Sequence, residues 1–195
     1  GKDSRVKYKI LGYNGGISVN TNAAIEMAEG KFIVLADHDD AMTPDALYEC
    51  AKVLNEHPYC DVIYSDEDKM DMDGGALFDP HFKPDFNPDL LTSVNYICHL
   101  FVVKRTLLDQ VGGFRHEFEQ VGGLRKEFDG AQDYDFIFRC TEKANEIVHI
   151  PKVLYHWRCH QDSTASNPQS KLYAFEAGSR AIMEHYHRMG IEAEK

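Results

Sequence analysis

Phe32-Ile33-Val34-Leu35-Ala36-Asp37-His38-Asp39-Asp40 is the stretch whose reading decides the fold. Five apolar residues follow a Gly-Lys turn and run straight into three carboxylates within four positions. A short, unbroken apolar run of this kind predicts a buried strand of a parallel sheet. Thr43-Pro44-Asp45 then opens a helix, with Thr as N-cap, Pro at the first helical position and Asp in the first turn. The acids therefore fall on the loop at the carboxyl end of a central strand, where open α/β sheets bind their ligands. One Asp there is explained by compensation of the helix dipole. Three repel one another until a cation neutralises them, and an all-oxygen donor set suits Mg²⁺ or Mn²⁺.

Upstream, Val6 to Leu11 alternates around Lys7 and Lys9 and predicts a strand near a sheet edge. Ser18 to Glu29 carries Ala23, Ala24, Met27 and Ala28 at helical spacing and stops at Gly30, with Asn20 and Asn22 near its start. Downstream, a helix from Pro44 to Asn55 puts Leu47, Cys50, Ala51 and Leu54 on one face. Asp61 to Tyr64 reads as a second short strand that ends in acids, Ser65-Asp66-Glu67-Asp68. Strands and helices in alternation predict βαβ units and a mostly parallel sheet flanked by helices.

Residues 66–96 carry turn chemistry (Asp79-Pro80, Lys83-Pro84, Asn87-Pro88) and little periodicity, which predicts a long functional loop. An EF-hand reading of Asp71-Met72-Asp73-Gly74 fails, because Lys69 and Pro80 occupy the first and twelfth ligand positions. His99 to Val103 reads as a strand and Arg105 to Gln110 as a short helix. Residues 111–120 and 121–130 match at six of ten positions, a tandem decapeptide too short for a repeat architecture. Gln132 to Ala144 is helical, and Ile147 to Ile150 and Val153 to Trp157 are strands parted by Pro151. A final amphipathic helix, Gln169 to Met189, shows an apolar stripe of Leu172, Phe175, Ile182, Tyr186 and Met189.

With 195 residues the chain is long enough for one substantial core. A formal net charge of −11 argues against nucleic acid or an anionic membrane surface as a direct partner. The five cysteines are odd in number and show no C-x-x-C, as expected of reduced thiols in the cytoplasm. His156-x-x-Cys159-His160 lacks the second ligand pair that a zinc site needs. No apolar run is long enough to span a bilayer, and no signal peptide is expected from this sequence. The chain opens on Gly-Lys-Asp-Ser, as an internal segment of a longer protein would.

Taken together, several stretches resemble the GT-A glycosyltransferases of family 2. Asn14-Gly15-Gly16-Ile17-Ser18 with Asn20 and Asn22 is similar to the segment preceding that family's metal loop. Ala36-Asp37-His38-Asp39-Asp40 resembles its D-x-D motif, Gly130-Ala131-Gln132-Asp133-Tyr134-Asp135 its E-D-x-D acceptor motif, and Tyr155-His156-Trp157-Arg158 its closing motif. Tyr64-Ser65-Asp66-Glu67-Asp68-Lys69 and Phe82-Lys83-Pro84-Asp85 resemble a bacterial subgroup that builds rhamnose-containing and other surface polysaccharides. Two departures stand out. Gln132 replaces the commoner Glu, and nothing matches the family's first strand–helix portion, which holds the nucleotide base; the chain is therefore expected to be a partial domain.

The resemblance implies roles. Asp133 would be the general base. Asp39 would bind the metal and Asp37 the metal or the ribose, with His156 as an added metal ligand; Arg158, Asn20 and Asn22 would face the donor, and Gln132, Asp135 and His99 the acceptor. The expected activity is metal-dependent, inverting transfer from a nucleoside-diphosphate sugar to a saccharide or lipid-linked acceptor, in the cytoplasm or at the inner face of the membrane. Self-association is expected if a sheet edge is left open. The competing readings are a phosphohydrolase or nucleotidyltransferase using the same acids, and a truncated, non-catalytic binding domain.

Overall fold

A computed structural model describes residues 3–111, 130–159 and 172–193. All but the two ends of the decapeptide repeat lie outside the described residues, as does most of the polar loop before the last helix. The elements in order are α1 (Gly16–Met27), β1 (Phe32–Leu35), β2 (Ala41–Met42), α2 (Ala46–Glu56), β3 (Val62–Met70), β4 (Leu77–His81), α3 (Pro88–Leu91), β5 (Phe101–Lys104), α4 (Arg105–Gln110), α5 (Gln132–Thr141), β6 (Ile147–Arg158) and α6 (Leu172–Met189).

The strands form one sheet in the order β1-β5-β3-β6-β2, with β4 on the far part of β3. β5 is antiparallel to both β1 (Ile33 opposite Val103) and β3 (Ile63 opposite Val102). β3 and β6 are parallel from Val62–Ile147 to Met70–Arg158. Thus β1, β3 and β6 do run one way, as the strand–helix alternation requires. A reversed strand is inserted between the first two, so the sheet is mixed rather than mostly parallel. An apolar run reports burial on both faces, not direction; β5 is as apolar and as buried as a parallel strand would be.

Side chains alternate across β3, so Val62 and Tyr64 enter one core and Ile63 the other. The first core packs α1, α3, α5 and α6 on the sheet through Ile25, Leu91, Phe136 and Ala177; the second packs α2 through Ala46 and Cys50. Each fully buried Ile, Leu or Phe side chain in these cores contributes roughly 1.5–3 kcal/mol.

Three other expectations change. Val6 to Leu11 forms no strand; Val6, Tyr8 and Ile10 are exposed, and the segment is tied to α1 by Lys9–Glu26 at 3.6 Å and by Lys7–Glu29. Alternation without a neighbouring strand leaves its hydrogen bonds unmade. β3 does not stop at Tyr64 but continues to Met70 and turns into β4, so residues 66–81 form a hairpin and the irregular part of 66–96 is shorter. β6 runs unbroken through Pro151, with the register slipping between Ser65–Ile150 and Asp66–Val153; a bulge is where a sheet tolerates proline.

The last helix buries a different face from the expected one. Ala177, Ala181 and His185 are buried, while Phe175 and Met189 are exposed. Small residues let α6 approach α5 closely, and His185 stacks on Phe138 at 4.4 Å.

Candidate active site

The acid loop leaves the carboxyl end of β1 and forms one wall of a cavity of about 240 Å³, lined also by Ile17 and Thr21 of α1, Cys98, His99, Gln132, Asp133 and Trp157. A wider cavity of about 630 Å³ shares Asp37 and Gln132 and adds Asn20, His38 and Asp39. Asp37 and Asp133, far apart in the chain, therefore face one cleft.

β6 holds the acid loop in place. The Asp37 N–H donates to the Tyr155 hydroxyl oxygen at 3.0 Å, and that hydroxyl donates to Asp40 Oδ2 at 2.6 Å. The Arg158 N–H donates to Asp40 Oδ1 at 2.8 Å. The Arg158 guanidinium donates to the carbonyls of Asp39 (2.6 Å) and Met72 (2.7 Å), stapling the loop to the β3–β4 turn. It is thereby committed to backbone carbonyls rather than free to clamp a diphosphate.

Burial pushes the Asp37 carboxyl above the ordinary carboxylate range; nearby His99 opposes this, while Asp40, Asp39 and Asp133 add to it. A cation would relieve that repulsion. Asp37, Asp40 and His99 each offer a ligand atom, all within 4.8 Å of one another. His99 stacks on Tyr155 at 4.7 Å, and its buried Nδ1 has no hydrogen-bond partner among the described residues. Two carboxylates and one imidazole could together hold a divalent cation.

This set differs from the expected one. Asp39 lies on the rim of the wider cavity, with its carboxylate 3.8 Å from His38 Nδ1, and is outside the trio. His156 is opposite Asp68 in the β3–β6 register, with its Nδ1 on Asp68 Oδ1 at 2.5 Å; it is outside the trio, and its Nε2 is the ring nitrogen left for any other partner. His99, expected at the acceptor, sits with the acids instead. Asn20 lines the wider cavity; Asn22 is half-buried and lines neither cavity. Asp135 is fully buried and ion-paired to Arg139 at 3.0 Å, so it braces α5 and does not reach the cleft.

Asp133 is in the first turn of α5, where the helix dipole favours a carboxylate. Its Oδ2 accepts from Asn95 Nδ2 at 2.9 Å and from the Cys98 thiol at 3.2 Å. Burial, reinforced by Asp133, pushes the Cys98 thiol well up, so it stays protonated and can only donate here. The turn before α5 is tight: Gly130 has φ +98°, and a Cβ there would lie 2.5 Å from the Tyr173 ring. Gln132 Oε1 accepts from the Gly130 N–H at 2.7 Å and closes that turn.

Sequence reasoning missed Asn95, Cys98, Tyr155 and Lys83. Lys83 is buried and donates to the carbonyls of Ile97 (2.9 Å) and His99, with Glu67 3.4 Å away. It pins the backbone that carries Cys98 toward Asp133 and His99 toward Asp37. Its only signal was membership of the Phe82-Lys83-Pro84-Asp85 stretch.

A family profile described as "Glycosyl transferase family 2" matches residues 1–112. The chain is 46% identical over 189 residues to "Uncharacterized protein y4gI" of Sinorhizobium fredii, covering 96% of this chain and 20% of that protein. It is 37% identical over 193 residues to "O-antigen biosynthesis protein RfbC" of Myxococcus xanthus, covering 99% of this chain and 14% of that one. The chain thus spans a fifth or less of the length of these curated relatives. Among solved structures, TarS 1–349 of S. aureus superposes with a TM-score of 0.60 at 20% identity, covering 93% of this chain and 47% of that one. The same protein solved in complex with UDP-GlcNAc gives 0.58 at 22% identity, covering 92% and 49%. The fold is therefore the GT-A arrangement expected from the motifs, with helices on both faces of a mixed sheet, and the profile match over more than half its length means that the chain belongs to glycosyl transferase family 2.

Proposed function

We propose that this domain transfers a sugar from a nucleoside-diphosphate sugar to a hydroxyl of a saccharide or lipid-linked acceptor, in the synthesis of a bacterial surface polysaccharide. The observation that carries the reading is the placement of Asp37 and Asp133 on one cavity. Similarity to an O-antigen biosynthesis protein and to chondroitin and hyaluronan synthases supports polysaccharide as the product class. The complexes of TarS with UDP and UDP-GlcNAc make UDP-sugars the first donors to try.

Asp133 is the general base. The Asn95 amide and Cys98 thiol fix its Oδ2, leaving Oδ1 to take the acceptor proton as the acceptor oxygen bonds to the anomeric carbon. The bond from that carbon to the diphosphate breaks, and the diphosphate leaves with the electron pair. A base on one side of the sugar, with no nucleophile assigned to the other among the described residues, corresponds to inversion. General-base assistance contributes about 10²–10⁴-fold. A divalent ion, when bound, neutralises charge on the departing diphosphate; Asp37, Asp40 and His99 would hold it, with Tyr155 and the Arg158 N–H orienting Asp40. Asp39 and Asn20, on the wider cavity, would face the donor's nucleoside side. Among the described residues no helix is long and apolar enough to cross a membrane; a site in the cytoplasm, or peripheral at its membrane face, fits the use of a nucleotide donor.

The test is calorimetric binding of UDP with Mn²⁺ or Mg²⁺, followed by turnover of UDP-sugars by the full-length parent. Asp133→Asn is expected to spare binding and to lower transfer by about 10²–10⁴-fold. Wild-type transfer by that variant would remove Asp133 from the role of base.

A further inference from the structure

The acid loop is short and hangs from β6. Residues 36–40 join β1 to β2, and β2 pairs with Tyr155 and His156. At the start of the loop the Tyr155 hydroxyl oxygen accepts from the Asp37 N–H, and within it the Asp40 N–H donates to the Asp37 carbonyl at 3.4 Å. Its middle is held from outside, where Arg158 Nε donates to the Asp39 carbonyl at 2.6 Å. Arg158 lines neither of the two cavities that contain Asp37. A side chain set to clamp a donor's diphosphate would stand in the cleft, and this one lies outside it.

The other arm of the guanidinium is held as well. Its Nη1 donates to the carbonyls of Asp71 (3.3 Å) and Met72 (2.7 Å), both in the turn between β3 and β4. That turn is braced from within: the Gly74 N–H donates to the Asp71 carbonyl at 3.1 Å, and the Gly75 N–H to Asp71 Oδ1 at 2.7 Å. The Asp71 N–H closes it by donating to the Ala76 carbonyl at 3.0 Å. Gly74 has φ +74°, and a Cβ on it would lie 3.4 Å from Arg158 Nη1, so a bare glycine lets the turn close onto the guanidinium. A guanidinium is a planar fork whose donors keep a fixed spacing, which an ammonium on a flexible stem does not. Arg158 therefore sets the distance between the Asp39 carbonyl and the β3–β4 turn. Asp39 lies between Asp37 and Asp40 in the chain, so the same distance governs how those two carboxylates face each other.

We propose that Arg158 is a positioning residue, and that it and the β3–β4 turn form a strap outside the cleft that holds Asp37 and Asp40 at the spacing a divalent cation needs. The proposal rests on the reading of Asp37, Asp40 and His99 as a cation site. It gives a part in that site to a turn whose residues 71–75 line neither cavity. The bond from Arg158 N–H to Asp40 belongs to the backbone and survives replacement of the side chain, so Lys or Ala at 158 isolates the guanidinium.

The test uses the full-length parent without nucleotide or sugar and reads free Mn²⁺ by electron paramagnetic resonance. The site in question is the one that Asp37→Ala removes. Arg158→Lys and Arg158→Ala are each expected to weaken it about 10–100-fold, as loss of an outer partner of the metal ligands does. Lysine keeps the charge but not the fork, so it should give no rescue. Gly74→Val, strained at a positive φ and crowding Nη1, should weaken Mn²⁺ binding with Arg158 intact. Amide hydrogen exchange across residues 37–40 should quicken in all three variants. Unchanged Mn²⁺ affinity in Arg158→Lys or in Gly74→Val would overturn the proposal. A loss confined to UDP binding, and restored by lysine, would overturn it too and return Arg158 to the diphosphate. Absence of any Asp37-dependent Mn²⁺ binding in the wild type, with faster exchange in the variants, would sink the cation reading and keep Arg158 and the turn as the strap of the loop.

Discussion

Two stretches of this chain look alike on paper. Phe32–Leu35 leads into Asp37-His38-Asp39-Asp40, and Val62–Tyr64 leads into Ser65-Asp66-Glu67-Asp68. Each is a short apolar strand that ends in acids, yet their fates are opposite. In the second, the strand continues and each acid finds a cationic or imidazole partner: Asp66 with His149 at 2.8 Å, Glu67 with Lys83 at 3.4 Å, Asp68 with His156 at 2.5 Å. In the first, the chain leaves the sheet; Asp40 accepts from Tyr155 and the Arg158 N–H, while Asp37 stands beside Asp40 and shares an open cleft with Asp133. The lesson is that acids paired across a sheet are structure, whereas acids facing one another call for something from outside.

That contrast can be broken by substitution. The largest expected effect is on stability at Asp66, which holds both His149 Nε2 and the Lys83 N–H (2.9 Å) in a buried site. Asp66→Ala is expected to cost about 3–5 kcal/mol by leaving buried partners unmatched, measured by urea unfolding. UDP binding by the fraction still folded should be unchanged. A loss under 1 kcal/mol would put the two acid clusters in the same class.

Asp37→Ala should do the reverse. Cation-dependent UDP binding is expected to fall by more than about 100-fold, beyond what loss of an outer-shell partner costs. Metal-free stability should hold or rise, because a carboxylate among carboxylates has been removed. A drop in metal-free melting temperature would show that Asp37 is a structural acid.

Lys83 links the two regions, since it contacts Glu67 on one side and the Ile97 and His99 carbonyls on the other. Lys83→Met is expected to weaken Mn²⁺ binding about 10–100-fold by releasing His99, read by electron paramagnetic resonance of free Mn²⁺. Unchanged affinity would confine Lys83 to the packing of the paired cluster.

The smallest effect sharpens the rule at Asp61, just before β3. Burial opposes its charge, but the Asn145 N–H, the Lys104 ammonium and the Asn145 amide outweigh it and hold the carboxyl below its usual range. A carboxylate with a lower pKa folded than unfolded stabilises the protein above its unfolded value, about 3.9, and that stability is lost as pH falls through the folded value. Asp61→Asn should therefore lose about 1–3 kcal/mol at neutral pH. It should also show a shallower decline than the wild type as the pH drops below about 5.

Much of the site was legible before any coordinates. The acid loop after Leu35, Asp133 at a helix start and their family setting all follow from local patterns: an apolar run, an N-terminal helix signal, ordered motifs. What stayed hidden depends on register and partners. Nothing local says that Asp68 lies opposite His156 and holds its Nδ1, or that His99 comes to the acid loop. Nor does an apolar run reveal that β5 enters the sheet reversed. The Leu172–Met189 stripe misled because large residues need not mark the buried face when alanines allow closer packing on α5.

The amino-acid sequence by itself determined most of the elements, the acids at the end of β1, the carboxylate at the start of α5 and the family, because each is written in residues near one another in the chain. Only the tertiary structure decided which acids are neutralised, which histidine stands beside Asp37, and that Asp133 shares a cleft with Asp37. Those outcomes turn on strand order and register, and a one-residue shift there moves a side chain to the opposite face with no change in local pattern.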